Sequence, residues 1–371
     1  MAPPNTSRPD TPPLSSLPTA FPSETCLRRG LCPVTSLRKQ GPEAFESHSL
    51  YYEQHGPLNA TTKVVFIMGL NSSSFSWGPQ VRYFGKGGEG GDCTSLVFDN
   101  RGVGNSGYPR GPYTTSGMAE DAICLLDYLG WTGERELNVV GISLGGMIAQ
   151  ELAYRIPHRI SSLVLAVTTP GGHIWNNLAP WKGVKSLVTL LFTPDPLKKV
   201  PIVLEMVFPP KWLSEKAETD THWEYNGNTQ DNKLGKTNYD VQKEGFLFRV
   251  SITKPQLLLG HISQMCAALT HHVSPERLAY IAANIPKIAI VTGDEDNLVH
   301  PSGSERIKAS MDLALRDDNN KERMEFLKWE GTGHGIHAQR EVPFNQLVER
   351  CAREGEKKLE QGWKPRDMPA S

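Results

Sequence analysis

Ser143 lies in the pentapeptide Gly141-Ile142-Ser143-Leu144-Gly145, and its flanks decide what that serine can do. Leu137-Asn138-Val139-Val140 reads as a short buried strand, and residues 147–153 carry helix-forming types up to the break at Pro157. A serine on a sharp strand-to-helix turn projects its hydroxyl alone above a sheet, and small flanking residues let the backbone pass without a clash. The Leu144 N–H would then start a helix, where unpaired amides and the dipole favour negative charge, one half of an oxyanion hole. Ser143 is therefore the candidate nucleophile.

A serine hydroxyl needs a base to take its proton and a third group to orient that base. The acid is sought in Gly293-Asp294-Glu295-Asp296-Asn297-Leu298-Val299-His300-Pro301, after an apolar strand. Asp296 is preferred to Glu295 and to Asp294, which directly follows the strand and suits the turn. The base is sought in Gly331-Thr332-Gly333-His334-Gly335, where glycines on both sides let an imidazole swing over the sheet. His334 is preferred to His337, which begins a helix, to His300, which precedes a proline, and to His271 and His272, which fall in a helical region. The order Ser, Asp, His suits a nucleophile elbow. The second oxyanion donor is expected after the strand at 63–68, from the Leu70 N–H in Met68-Gly69-Leu70-Asn71, with Asn71 and the serines at 72–74 as further hydrogen-bonding groups. His334 and His337 lack further ligands nearby in sequence, so no metal is expected.

The elements that must hold these residues read as an α/β pattern. Strands are expected at 48–54, 63–68, 95–99, 137–142, 162–167, 288–292 and 324–329, several of them continuous Val/Ile/Leu runs that fit a mostly parallel, doubly wound sheet buried on both faces. A helix is expected over 118–129, with Met118, Ala122, Leu125, Leu126 and Leu129 on one stripe and Gly130 as its stop. The alternation fails over 171–285, which reads as an inserted helical cap. Its Trp175, Trp181, Phe192, Phe208, Trp212 and Trp223 suit either an apolar pocket or a cap core. The Pro- and Ser-rich stretch 1–43 is expected to be disordered, leaving 44–170 and 286–371 as the two parts of the core.

A chain of 371 residues can bury a full core. Its 39 basic and 40 acidic side chains, a formal net charge of −1, give no footprint for nucleic acid or an anionic membrane, so a small-molecule substrate is expected. Six scattered cysteines without ligand-like spacing read as free thiols in a reducing compartment. The N-terminus has no apolar leader, and the longest apolar runs, at 186–192 and 202–208, are far short of a membrane span. A cytoplasmic protein without a cofactor is expected.

Taken together, the pattern resembles the α/β-hydrolase superfamily, in the branch of proline iminopeptidases, non-haem haloperoxidases and small-molecule esterases, over roughly residues 45–347. The pieces that carry the likeness are Phe75-Ser76-Trp77-Gly78-Pro79-Gln80, Phe98-Asp99-Asn100-Arg101-Gly102-Val103-Gly104-Asn105-Ser106, Met118-Ala119-Glu120-Asp121, and the segments around Ser143, Asp296 and His334. The resemblance implies an α/β-hydrolase fold and a Ser143/His334/Asp296 triad that cleaves carboxylic esters or related acyl compounds. Asp99 and Arg101 follow the family's Asp-x-Arg-Gly pattern, which shapes the loop. Met68-Gly69 departs from the family's usual His-Gly, so a side-chain brace on the oxyanion loop is lost. Acyl transfer to an alcohol or amine, a peptidase of the proline iminopeptidase type and a non-catalytic ligand-binding module are the alternative readings. Relatives that cleave C–halogen bonds or epoxides carry a nucleophilic Asp, and Ser143 argues against both.

Overall fold

The Val/Ile/Leu runs become strands of one sheet. In the computed structural model, which describes residues 17–34, 48–57, 59–218, 235–315 and 321–366, these are β1 (Cys26–Cys32), β2 (Leu50–His55), β3 (Thr62–Ile67), β4 (Cys93–Phe98), β5 (Leu137–Ile142), β6 (Ile160–Ala166), β7 (Lys287–Gly293) and β8 (Met324–Trp329). They lie in the order β1-β2-β4-β3-β5-β6-β7-β8. β1 pairs with β2 and β2 with β4 antiparallel at one edge, and the five other pairings are parallel. The strands expected from sequence all appear, each within two residues of its expected bounds.

Alternation along the strands builds two cores. Val65, Ile67, Val139, Leu163, Leu165 and Ile290 meet helices Thr115–Leu129, Leu144–Arg155, Pro275–Asn284 and Ser302–Leu315 on one face. Val64, Phe66, Val140, Val164 and Val291 meet helices Gly78–Gly85 and Glu341–Glu360 on the other. The helix expected over 118–129 starts three residues earlier, because the Thr114 side chain accepts the Gly117 N–H at 3.0 Å and caps it. Gly130, at φ 75°, ends it in the left-handed conformation.

Two expected boundaries need correction. The stretch 1–43 contains β1, which pairs with β2 from Cys26 to Cys32, so order begins well before Phe45. Its prolines cluster before Cys26, and the strand itself carries none. Residues 1–16 and 35–43 lie outside the described residues. Between β6 and β7 run helices Trp181–Leu191, Pro196–Val207, Pro210–Ser214, Asn238–Ile252, Leu258–Leu269 and Pro275–Asn284. The last falls within 171–285, yet it buries Leu278, Ile281 and Ala282 in the core that Ile148 and Leu152 share. The helices before it have a small core of their own, formed by Val200, Leu204, Phe208 and Leu213. Among the described residues, no helix is long and apolar enough to cross a membrane.

Candidate active site

From β3 the sheet grows in both directions, to β4 on one side and to β5 on the other. The helices that follow β3 and β4 pack on opposite faces, so a crevice opens at the carboxyl ends of β3 and β5. Ser143 stands there, one residue past β5. Its backbone has φ 57° and ψ −123°, a strained conformation for a non-glycine residue. The flanking glycines follow from contact rather than convenience. A Cβ at Gly145 would lie 2.0 Å from the Ile67 carbonyl oxygen, and one at Gly141 would lie 2.4 Å from the Gly145 carbonyl oxygen. The turn is pinned by Ser143 N–H donating to Ala166 O at 3.0 Å and by the Thr168 hydroxyl donating to Ser143 O at 2.8 Å. Leu144 opens the following helix, so its N–H has no carbonyl one turn back.

Gly69 passes beside Ser143: a Cβ built on it would lie 3.1 Å from Ser143 Cβ and 3.6 Å from Oγ. Leu70 is the next residue, so both expected oxyanion donors belong to backbone that flanks Ser143. The loop is braced without the family's histidine. Asn100 Nδ2 donates to the Met68 carbonyl at 2.9 Å. Asn71, at φ 56°, donates its N–H to Gln264 Oε1 at 2.9 Å, and Gln264 Nε2 donates to the Arg101 carbonyl at 2.8 Å. Neither brace was found from sequence. Asn100 sat inside a recognised segment without an assigned role, and Gln264 lies on helix Leu258–Leu269, where no motif marks it.

Asp296 and His334 come together from the loops after β7 and β8, with His334 Nδ1 2.8 Å from Asp296 Oδ2. Both residues are buried. The other carboxylate oxygen accepts the Leu298 and Val299 N–H groups at 2.8 and 2.9 Å, which fixes the carboxylate plane. With Nδ1 engaged, Nε2 is the nitrogen left for a serine hydroxyl. Among the described hydrogen bonds none joins Ser143 Oγ to His334, though both residues stand at the carboxyl edge of the sheet.

The competing residues have other partners. Asp294 is exposed and accepts the Thr332 N–H at 3.2 Å, tying the two loops together, and Glu295 is exposed beside it. His337 is half-buried, with Nε2 donating to Ser76 O at 3.2 Å and its ring edge-on to Trp77, and desolvation of the ring pushes it down to about 3. His271 is also pushed down to about 3 by burial, with Nδ1 2.9 Å from the Thr115 hydroxyl. His272 and His300 are exposed. Asp99 accepts N–H bonds from Ser74 and Asn105, each at 2.7 Å, yet burial pushes its carboxyl up to about 6. Arg101 forks onto both Asp121 oxygens at 2.6 Å. Burial would raise Asp121, but the bonds from His48 and Arg101 outweigh it and hold the carboxyl low. These groups shape the loop after β4.

The inserted helices touch the His334 loop directly. Val207 O accepts the Gly335 N–H at 3.0 Å, and a Cβ on Gly335 would lie 2.3 Å from Phe208 Cε1. Phe208 packs on Trp212 with ring centroids 4.9 Å apart. Trp175, Trp181 and Phe192 are exposed instead, the last two by 80% and 81%. Trp223 lies outside the described residues.

Comparison with known proteins agrees with this architecture. The family model described as alpha/beta hydrolase fold matches residues 63–185. Over 80 residues the chain is 42% identical to a poly(3-hydroxyalkanoate) depolymerase of Ectopseudomonas oleovorans, covering 22% of this chain and 27% of that protein. Over 105 residues it is 31% identical to 3-oxoadipate enol-lactonase 2 of Acinetobacter baylyi, covering 28% and 36%. The chain therefore spans well under two thirds of the length of these relatives. A thermophilic esterase from Thermogutta terrifontis superposes with a TM-score of 0.60 at 16% identity, over 88% of this chain and 99% of that one. An eight-stranded sheet with a serine elbow at its switch point defines the class. The chain has the α/β-hydrolase fold, and its residues 63–185 resemble that superfamily.

Proposed function

We propose that the protein is a serine hydrolase that cleaves carboxylic esters of small molecules through an acyl-enzyme. The reading rests on the 2.8 Å bond between His334 Nδ1 and Asp296 at the sheet edge that carries the Ser143 elbow. Ser143 Oγ attacks the carbonyl carbon and its proton passes to His334 Nε2. Asp296 keeps the proton on Nδ1 and stabilises the imidazolium. The Leu144 and Leu70 N–H groups receive the oxyanion. Collapse expels the alcohol, which takes the proton from Nε2, and water activated by the same nitrogen frees the acid and Ser143. Esters and lactones are the substrate class suggested by relatives named as an enol-lactonase and an esterase. The six free thiols suit a reducing compartment, so we assign the protein to the cytoplasm.

The test is covalent labelling. A fluorophosphonate should modify Ser143, and Ser143→Ala should lose the label and about 10⁴- to 10⁶-fold of turnover on p-nitrophenyl esters. Label retained on another serine would refute the assignment.

A further inference from the structure

We propose that Cys26, Glu53 and His55 form a binding site for a zinc-class divalent cation, at the end of the sheet away from Ser143. Cys26 is opposite His55 in the β1–β2 register, and Glu53 precedes His55 by two residues, so both β2 side chains share one face. One donor atom from each residue lies within 4.8 Å of the other two. Glu53 Oε2 and His55 Nε2 are 3.3 Å apart. Two zinc bonds of ordinary length meeting at the tetrahedral angle require a separation of about 3.3 Å.

The remaining polar atoms of these side chains are already tied back. His55 Nδ1 is 2.9 Å from Thr25 Oγ1, and Glu53 Oε1 accepts the Tyr51 hydroxyl at 2.6 Å and the Thr19 hydroxyl at 2.7 Å. Outer partners of this kind orient metal ligands and fix the imidazole tautomer. His55 Nε2 is left over. It is buried without a hydrogen-bond partner, on a side chain wholly removed from solvent, and its approach to Glu53 lacks hydrogen-bond geometry. A thiolate, an imidazole and one carboxylate suit zinc, with water as the fourth ligand on the side of half-buried Cys26.

The position assigns the ion a structural role. His55 pairs with Ser95 near the start of β4, whereas Ser143, Asp296 and His334 follow the ends of β5, β7 and β8. Phe21 packs its ring edge-on to His55 at 5.2 Å, so a bound cation would fasten residues 17–25 to the sheet.

The full chain, stripped of metal and dialysed against zinc or cobalt(II), should retain one ion per chain. The cobalt form should show a thiolate-to-metal absorption band. Cys26→Ser and His55→Gln should abolish both signals. Thr25→Val, which keeps all three ligands, should weaken zinc about 10- to 100-fold. Zinc should also slow proteolysis within residues 17–32 of the wild type but not of Cys26→Ser, while ester turnover stays the same. Substoichiometric zinc in the wild type, or equal zinc in the wild type and Cys26→Ser, would reduce the cluster to an ion pair and overturn the proposal. Should His55→Gln fail to fold, Cys26→Ser decides, since its site is half-buried and the change nearly isosteric.

Discussion

Asp296→Asn separates orientation from packing. In the wild type one carboxylate oxygen accepts the Leu298 and Val299 N–H groups and the other faces His334 Nδ1. An amide of the same shape keeps its oxygen on the two N–H groups and turns its NH₂ toward the imidazole. Nδ1 must then accept, the proton moves to Nε2, and the base can no longer take the Ser143 proton. The loss expected for a wrong tautomer is about 10⁴-fold in kcat, or about 5 kcal/mol of barrier. Stability falls less, by about 1–3 kcal/mol, because a charged acceptor becomes neutral while the bonds persist in number. Asp294→Asn is the control: that exposed side chain accepts one 3.2 Å bond from Thr332, so turnover should change less than about threefold. Acylation of p-nitrophenyl acetate, followed as a burst, and thermal melting measure the two effects. A larger loss in Asp294→Asn, or an Asp296→Asn burst within tenfold of wild type, would refute the reasoning.

Gln264→Ala should release both the Asn71 N–H and the Arg101 carbonyl, costing about 1–3 kcal/mol of stability and lowering kcat more than it raises KM; unchanged kcat would mean the oxyanion loop holds itself. Phe208→Ala should slow both acylation and fluorophosphonate labelling because it loosens the His334 loop, whereas Trp181→Ala, on an exposed side chain, should leave labelling intact; equal rates in both variants would sink this distinction. Acid should destabilise the fold through His271 and His337, which burial holds neutral down to about 3. The unfolded chain protonates them below about 6.5, so their contribution is whole above that pH and declines as pH falls toward 3, by about 2 kcal/mol each at pH 5. Asp99, pushed up to about 6, gains its proton in the folded state and offsets about 1 kcal/mol of that loss. The net melting-point decrease between pH 7.5 and 5 should shrink in His337→Asn, and a pH-independent melting point in wild type would contradict it.

Much of this was legible because the signals were local. Buried parallel strands announce themselves as continuous apolar runs, and the Ser143 elbow combines a strand, a turn and a helix within about a dozen residues. The preference for His334 over His337 followed from its glycine neighbours, and the two rings do find different partners. What sequence did not reveal depends on contacts between distant segments. β1 is short, mixed in polarity and preceded by prolines, and only pairing with β2 makes it a strand. Gln264 reaches the loop after β3 across 193 positions, with nothing around it to mark the role. Helix Pro275–Asn284 reads as part of the insertion because the next strand begins after it, although its apolar side belongs to the sheet.

The bond from Val207 O to Gly335 N–H joins the inserted helices to the loop that carries His334. Changes around Val207 and Phe208 therefore reach the imidazole of His334 through backbone contact. A chimera receiving these helices from a relative would inherit a reseated imidazole. Compensating changes would be sought across the seam, at Gln339, whose side-chain oxygen accepts the Gly333 N–H at 2.8 Å, rather than within the grafted helices.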